Sequence, residues 1–520
     1  MPKESIITED FLNLAKAYLK NTNNITKVAK KCCEKLDLTY DDNYRRSLST
    51  KLKTKKLTEN NIVIENSKDF IAAKKRKLDK RRKTFLISWA QNETPVHENF
   101  FKNIVAYSNH LKAGLHIIAG RYKNPTSVFT DQDKDTWVKE VLPYLDANRH
   151  NLHDHLQVLS DIKVSPTAST PLSGLNGVTG LESCIIGHPR MHLKALPVLK
   201  GYPNKLLLST GACTVSNYTD SKSGKKAEFH HNLGAVIVEL DGEHFHIRQI
   251  TADDNGDFYD LFKRVKKGKV KNNKKGCEVA VLGDLHIHQM DKEAVKDSFD
   301  ILDIMKPKHT VIHDIFDGKS ISHHTKNYPF QLLDLEESGS DNVEKEIKEM
   351  LDWVKDKKKY NLVIPAANHN DWLDQWLDKT DWRKERNKKA YLKYANIKAE
   401  GKSKKGLVAY LLDEEFGEEV VTLDYNGSYR VLDWELGLHY DKGANGSRGS
   451  MIQFKNLNTK SIGGHGHSAF RIDGSLAVGT LTKMDMGYNK GLSSWTCSNV
   501  LVYPDGKAQH IHRVNNKFHR

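Results

Sequence analysis

Residues 278–288 read E-V-A-V-L-G-D-L-H-I-H. A short apolar run, 279–282, ends in Gly283 and then sends Asp284 and His286 off its end. An apolar run of that length closed by a glycine predicts a buried strand, and α/β ligand sites form outside the carboxyl ends of such strands. Similar strand ends recur downstream. T-V-I-H-D-I-F-D at 310–317 delivers Asp314 and Asp317, and L-V-I-P-A-A-N-H-N at 362–370 delivers Asn368 and His369. L-G-L-H at 436–439 carries His439, and I-G-G-H-G-H at 462–467 carries His465 and His467. A single example is an ordinary turn, but five in series outline a metal centre.

Asp, His and Asn without a thiolate make a mixed oxygen and nitrogen donor set. Such a set suits manganese, iron or zinc better than calcium or a closed structural zinc. The candidates are too many for one ion and fit two that share a carboxylate. Paired ions about 3.5–4 Å apart clamp a phosphate and activate water at neutral pH.

The ordered pattern D-x-H, D-x-x-D, N-H, an isolated H and G-H-x-H resembles the calcineurin-like metallophosphoesterases. The resemblance covers about 275–485, somewhat under half the chain. It implies that Asp284, His286 and His467 hold one ion, that Asn368, His439 and His465 hold the other, and that Asp314 bridges them. It makes His369 the unligated histidine that stabilises or protonates the departing oxygen. The sequence departs from the pattern twice: His313 stands where a glycine is usual, and Asn370 where an acid is usual. The second change leaves Asp317 or Asp371 to orient His369, so Asp317 joins His369 as a candidate catalytic residue. Lys319 and the pair His323 and His324 follow on the next loop, where they could reach a phosphate or support the ligands from behind.

Around this block the 520 residues leave room for more than one domain. A net charge of +15, a pI near 9.2 and a mean hydropathy of -0.62 favour a polyanionic partner. Six cysteines show no C-x-x-C spacing, no apolar run is long enough for a bilayer, and the start lacks a signal h-region. A reduced, cytoplasmic protein with no membrane partner is expected; a homo-oligomer is compatible with the sequence.

Residues 1–70 predict a small helical domain of three short helices. Helix, turn and basic helix fit a helix-turn-helix whose last helix enters the major groove, and equally a small bundle with a solvated basic face. Arg45, Arg46, Lys51 and Lys53 are its candidate DNA contacts. Residues 71–96 read as a basic linker in which Lys74, Lys75, Arg76, Arg81 and Arg82 could neutralise phosphates. Residues 97–272 read as a middle α+β domain, helical at 99–115 and 135–145, with strands near 206–210, 235–239 and 244–248. His188, His192, His230 and His231 lie there, more in keeping with structural histidines than with a second metal site. Residues 275–520 complete an α+β chain with a β-sandwich flanked by helices. Crossover helices are expected at 293–305 and 342–358, a basic helical insertion at 382–405, and a closing hairpin at 498–514.

The order of these parts resembles the phage branch of the superfamily, which implies a manganese-stimulated deoxyribonuclease acting on host double-stranded DNA. Magnesium, iron or zinc are the alternative ions. Two other readings fit the same residues: a phosphatase or phosphodiesterase acting on nucleotides or phosphoproteins, and a DNA-binding host-takeover protein whose site is not essential.

Overall fold

The run Val279–Leu282 forms a strand with all four side chains buried. With no polar residue on either face, it can only sit inside a sheet covered on both sides. That sheet has seven strands, ordered Val421–Thr422, Leu362–Ile364, His309–Ile312, Val279–Leu282, Ser498–Val502, Ala508–Val514 and Lys517–Phe518. The first four are parallel, and Ser498–Val502 returns antiparallel. Helices Lys292–Met305 and Val343–Lys357 make the crossovers. Asp291 caps the first by accepting from the Glu293 and Ala294 N–H groups, and Asn342 caps the second by accepting from Lys345.

A second sheet orders Arg430–Val431, Trp434–Glu435, Lys460–Gly463, Ser475–Ala477, Phe470–Ile472 and Leu193–Leu196. One apolar cluster joins the two sheets, with Val279, Val311 and Val363 on one side and Trp434, Ile462 and Leu476 on the other. The hairpin Ser498–Val502 and Ala508–Val514 closes the first sheet.

This computed structural model describes residues 6–19, 25–54, 68–79, 81–127, 129, 135–322, 328–448, 450–486, 489–514 and 517–518. The chain divides into two compact α+β units, Met1–His192 with Leu206–Asn273, and Leu193–Lys205 with Lys274–Arg520. Both sheets above belong to the second. Among the described residues, no helix is long and apolar enough to cross a membrane.

In the first unit, helices Glu9–Leu19, Ile25–Lys35 and Asp42–Thr54 bury Phe11, Leu12, Val28, Ala29, Cys32 and Leu48 together. Asp41 starts the third by accepting from the Asn43 and Tyr44 N–H groups at 2.7 and 3.2 Å. A five-stranded sheet follows, ordered His244–Thr251, Gly234–Asp241, Thr84–Gln91, Gly114–Gly120 and Leu145–Asp146. A further set of strands comprises Arg149–His153, Leu156–Leu159, Ser183–Ile186 and Lys205–Ser209.

Several expectations change here. Residues 71–96 are not a linker: Thr84–Gln91 is the central strand of the five-stranded sheet, and helix Lys68–Lys74 precedes it. The eight residues TFLISWAQ outweigh the charge block before them because seven are fully buried. The helix expected at 99–115 is Glu98–His110, after which the chain turns at Lys112 (φ 52°) into strand Gly114–Gly120. Residues 135–145 form turns and the 3₁₀ segment Leu142–Tyr144, whose Pro143 prevents a longer helix. The insertion at 382–405 is helical at Trp382–Lys384 and Lys388–Ala399.

Candidate metal centre

Each parallel strand of the first sheet ends by turning its chain across the sheet edge. Backbone bonds lock neighbouring strand ends together: the Leu285 N–H donates to His313 O at 3.0 Å, and the His286 N–H to Asp314 O at 2.7 Å. Asp284, His286, Asp314, Asn368, His439, His465 and His467 all converge at this edge. Four of them, His286, Asp314, His465 and His467, have positive φ, at 44°, 46°, 72° and 53°. A non-glycine residue there costs about 1–3 kcal/mol. Four such residues facing one point are strain held by the surrounding fold in order to aim side chains.

The geometry falls into overlapping groups. His467 Nε2 lies 3.2 Å from Asp284 Oδ2 and 3.3 Å from His286 Nε2. His439 Nε2 lies 3.0 Å from both Asp314 Oδ2 and Asn368 Oδ1, and His465 Nδ1 lies 2.9 Å from the same Asn368 oxygen. His286, Asp314 and His369 form a third group, with ligand atoms within 4.8 Å of one another, as do Asp284, Asp314 and His439. These buried clusters could hold a metal ion. Two tests of fit agree. Two imidazole nitrogens face each other at His286 and His467, so one lone pair points at the other ring unless a cation or proton lies between them. Asp284 Oδ1, His439 Nδ1 and His467 Nδ1 are buried without a hydrogen-bond partner.

Burial would raise the Asp284 carboxyl, but His439 and His467 hold it down to about 2. Asp314 is likewise held well below the usual carboxylate range against burial, chiefly by His439 and His369. Burial would lower the His439 imidazole, yet Asp314 and Asp284 lift it to about 9.

His369 sits beside this group. Its backbone N–H donates to Asp314 Oδ1 at 3.2 Å, and its ring packs on Trp372 with centroids 4.0 Å apart. Its Nδ1 lies 3.1 Å from the Asp317 backbone carbonyl, which accepts from that nitrogen and leaves Nε2 for a ligand. Burial pushes the ring down to about 4. The orienting group is therefore the carbonyl of Asp317, not its carboxylate and not Asp371. The Asp317 carboxylate lies 3.5 Å from His286 Nδ1, and Asp371 accepts from Gln375. Asn370 instead receives the Phe316 N–H at 3.1 Å, fixing the turn between Asp314 and Asp317.

Two further residues carry no motif. Trp372 backs His369, and buried Glu346 accepts from the Lys319 and Ser320 N–H groups at 2.8 and 3.0 Å. Only helical spacing onto the buried face could have pointed to them. The contact shown for Lys319 is this backbone bond to Glu346, not one with the metal-ligand candidates; His323 and His324 lie outside the described residues. Gly464 leaves room for Asp284: a Cβ there would lie 2.1 Å from Asp284 Oδ1. If the cluster holds a divalent ion, Gly464→Ala is expected to weaken its binding ~10–100-fold, the effect of displacing a ligand's support. Calorimetric titration checks this, and unchanged affinity would separate Asp284 from the ion.

The proposed DNA contacts divide. Arg45 forks onto Asp42 with two 3.1 Å contacts, Arg46 lies 3.7 Å from the same carboxylate, and highly exposed Arg81 pairs with Asp79 at 3.0 Å. Lys74 lies over the Phe70 ring and Lys75 is exposed. Three candidates are instead spent on the chain's own carbonyls: Lys51 on Ile7, Arg76 on Leu142 and Pro143, and Arg82 on Lys112 and Ala113. Carbonyls at turns lack ladder partners, and a nearby cation supplies the donors. The Lys53 side chain lies outside what is described. In the first unit, His188 donates to or accepts from backbone groups of Ser165 and Arg190, and His231 bonds Thr214 O and the Tyr218 hydroxyl.

No protein-family model matches the chain, and no solved structure does. Protein A1 of Escherichia phage T5 is 30% identical over 473 residues, spanning 84% of this chain and 83% of that protein. Identity sustained over that length requires a shared fold and descent, so the chain belongs to the family of phage T5 Protein A1.

Proposed function

We propose that this protein is a two-metal phosphodiesterase of the calcineurin-like type that hydrolyses double-stranded DNA, and that it degrades host DNA early in phage infection. One observation carries the reading: seven Asp, His and Asn side chains meet at one sheet edge, four of them held at positive φ. The net charge of +15 and the kinship with a phage protein support the choice of substrate and setting.

Asp284, His286 and His467 would hold one ion, Asn368, His439 and His465 the other, and Asp314 both. Two divalent ions, manganese first and magnesium, iron or zinc after it, supply neutralisation of phosphate charge and activation of water. The chain's own residues do the rest. The Asp317 carbonyl and the Trp372 ring hold His369 with Nε2 left open, where it would meet the reacting phosphate. There the ring, which burial keeps neutral at rest, would take up a proton beside the phosphate and pass it to the departing oxygen.

His369→Ala is expected to lower turnover ~10²–10⁴-fold, the usual contribution of a positioned acid, with metal content unchanged. The primary experiment incubates linear and covalently closed duplex DNA with manganese, magnesium or EDTA. Manganese-dependent loss of the linear DNA is expected, and survival of the closed circle would mark an exonuclease. If both DNAs survive while bis-p-nitrophenyl phosphate is hydrolysed, the metal chemistry stands and the substrate is wrong.

A further inference from the structure

A second group of ligating side chains lies in the first unit, away from every motif above. His116 is on strand Gly114–Gly120, Asp146 on the adjoining strand Leu145–Asp146, and His150 on strand Arg149–His153. His116 Nδ1 lies 3.1 Å from Asp146 Oδ2, and His150 Nε2 lies 2.7 Å from the same oxygen. All three ligand atoms are within 4.8 Å of one another. Asp146 is fully buried, while the two histidines keep 13% and 10% of their side-chain surface, which leaves an approach for a small ion.

Both rings aim at the same oxygen, Oδ2, while Oδ1 accepts the Asn148 N–H at 2.8 Å and so fixes the carboxylate plane. The two ring nitrogens and Oδ2 thus cluster around one point. Ligand atoms about 2.0–2.2 Å from a zinc ion stand about 3–3.5 Å apart, so a few tenths of an ångström of ring and carboxylate movement admits one. Among the described residues, the ion pairs of Asp146 are with the two histidines, and Lys163 acts on it only from further away, its own ammonium bonded to the Ser160 carbonyl.

We propose that His116, Asp146 and His150 form a second metal site, distinct from the centre at the 284–467 edge, which takes one zinc-class divalent ion. Two imidazoles and one carboxylate without thiolate select zinc, cobalt or nickel over magnesium or calcium. The ion has a mechanical role. His116 and Asp146 belong to the five-stranded sheet and His150 to the strand Arg149–His153 outside it, so the ion would tie that strand to the five-stranded sheet.

The test uses the full-length chain, its His150→Gln variant, which keeps a donor for Asp146, and Asp146→Asn, which keeps the shape. Each is equilibrated with zinc chloride, passed through gel filtration and analysed for bound zinc, and then titrated with cobalt chloride by visible absorption. Wild type is expected to retain one equivalent more than either variant, and the variants to bind that equivalent at least a hundredfold more weakly. Hydrolysis of DNA should be unchanged in both. Equal zinc content and equal cobalt spectra in folded wild type and His150→Gln would overturn the proposal. If Asp146→Asn fails to fold, the comparison with His150→Gln still decides it, because that variant alters a partly exposed ring and leaves the buried carboxylate in place.

Discussion

Asp314→Ala is expected to abolish manganese-dependent hydrolysis of linear duplex DNA, by about 10³-fold or more, equivalent to ~4 kcal/mol of transition-state stabilisation. The carboxylate is buried; one oxygen lies 3.0 Å from His439 Nε2 and 3.7 Å from His286 Nε2, and the other receives the His369 N–H at 3.2 Å. Asp284 is not a substitute, since in this reading it already serves the first ion with His286 and His467. A second readout does not depend on substrate. Manganese at about a hundred times its Kd should raise wild-type stability by ~2.7 kcal/mol, seen as a shift in the denaturant midpoint, and that protection should vanish in the variant. Full manganese protection of a folded Asp314→Ala protein would remove the carboxylate from the ligand set.

Arg248→Ala should destabilise the first unit by about 3–5 kcal/mol, the cost of stripping the cation from a buried ion-pair network. Arg248 forks onto Asp260 at 2.6 and 2.8 Å and reaches Glu239 at 2.5 Å, while the Tyr107 hydroxyl donates to Asp260 at 2.6 Å. Its side chain is only 5% exposed and that of Asp260 is fully buried. These bonds tie strand His244–Thr251 to helix Glu98–His110 and to strand Phe258–Asp260. Urea unfolding measures the effect, with Arg81→Ala as control. Arg81 pairs with Asp79 at 3.0 Å but its side chain is 91% exposed, and such surface pairs are worth about 0–1 kcal/mol. A loss at Arg248 no greater than at Arg81 would mean that water reaches the network.

The second unit was legible because its signals are local. An apolar run of three or four residues followed by a polar ligand reports a buried strand and its end in the same few residues, as at Val279–Leu282 with Asp284. The crossover helices could be read for the same reason: periodic apolar residues behind Asp291 and Asn342 caps. The first unit resisted because its signals conflict. The charge block at 74–83 hid the strand Thr84–Gln91, whose burial comes from flanking strands at 114–120 and 234–241.

From residue order alone came the α+β class, the run of strand ends and the seven side chains that meet at one edge. What depended on tertiary structure was every relation between groups remote in sequence. These are the Asp317 carbonyl as the partner of His369, Trp372 behind that ring, Glu346 beneath the Lys319 turn, and Arg76 and Arg82 bonded to carbonyls. The pairing of His116 and His150 on Asp146 belongs with them. The physical reason is common to all. A strand end or a helix cap is written in neighbouring residues, whereas a contact between groups far apart in the chain leaves no local pattern and exists only once the fold has brought the two within reach.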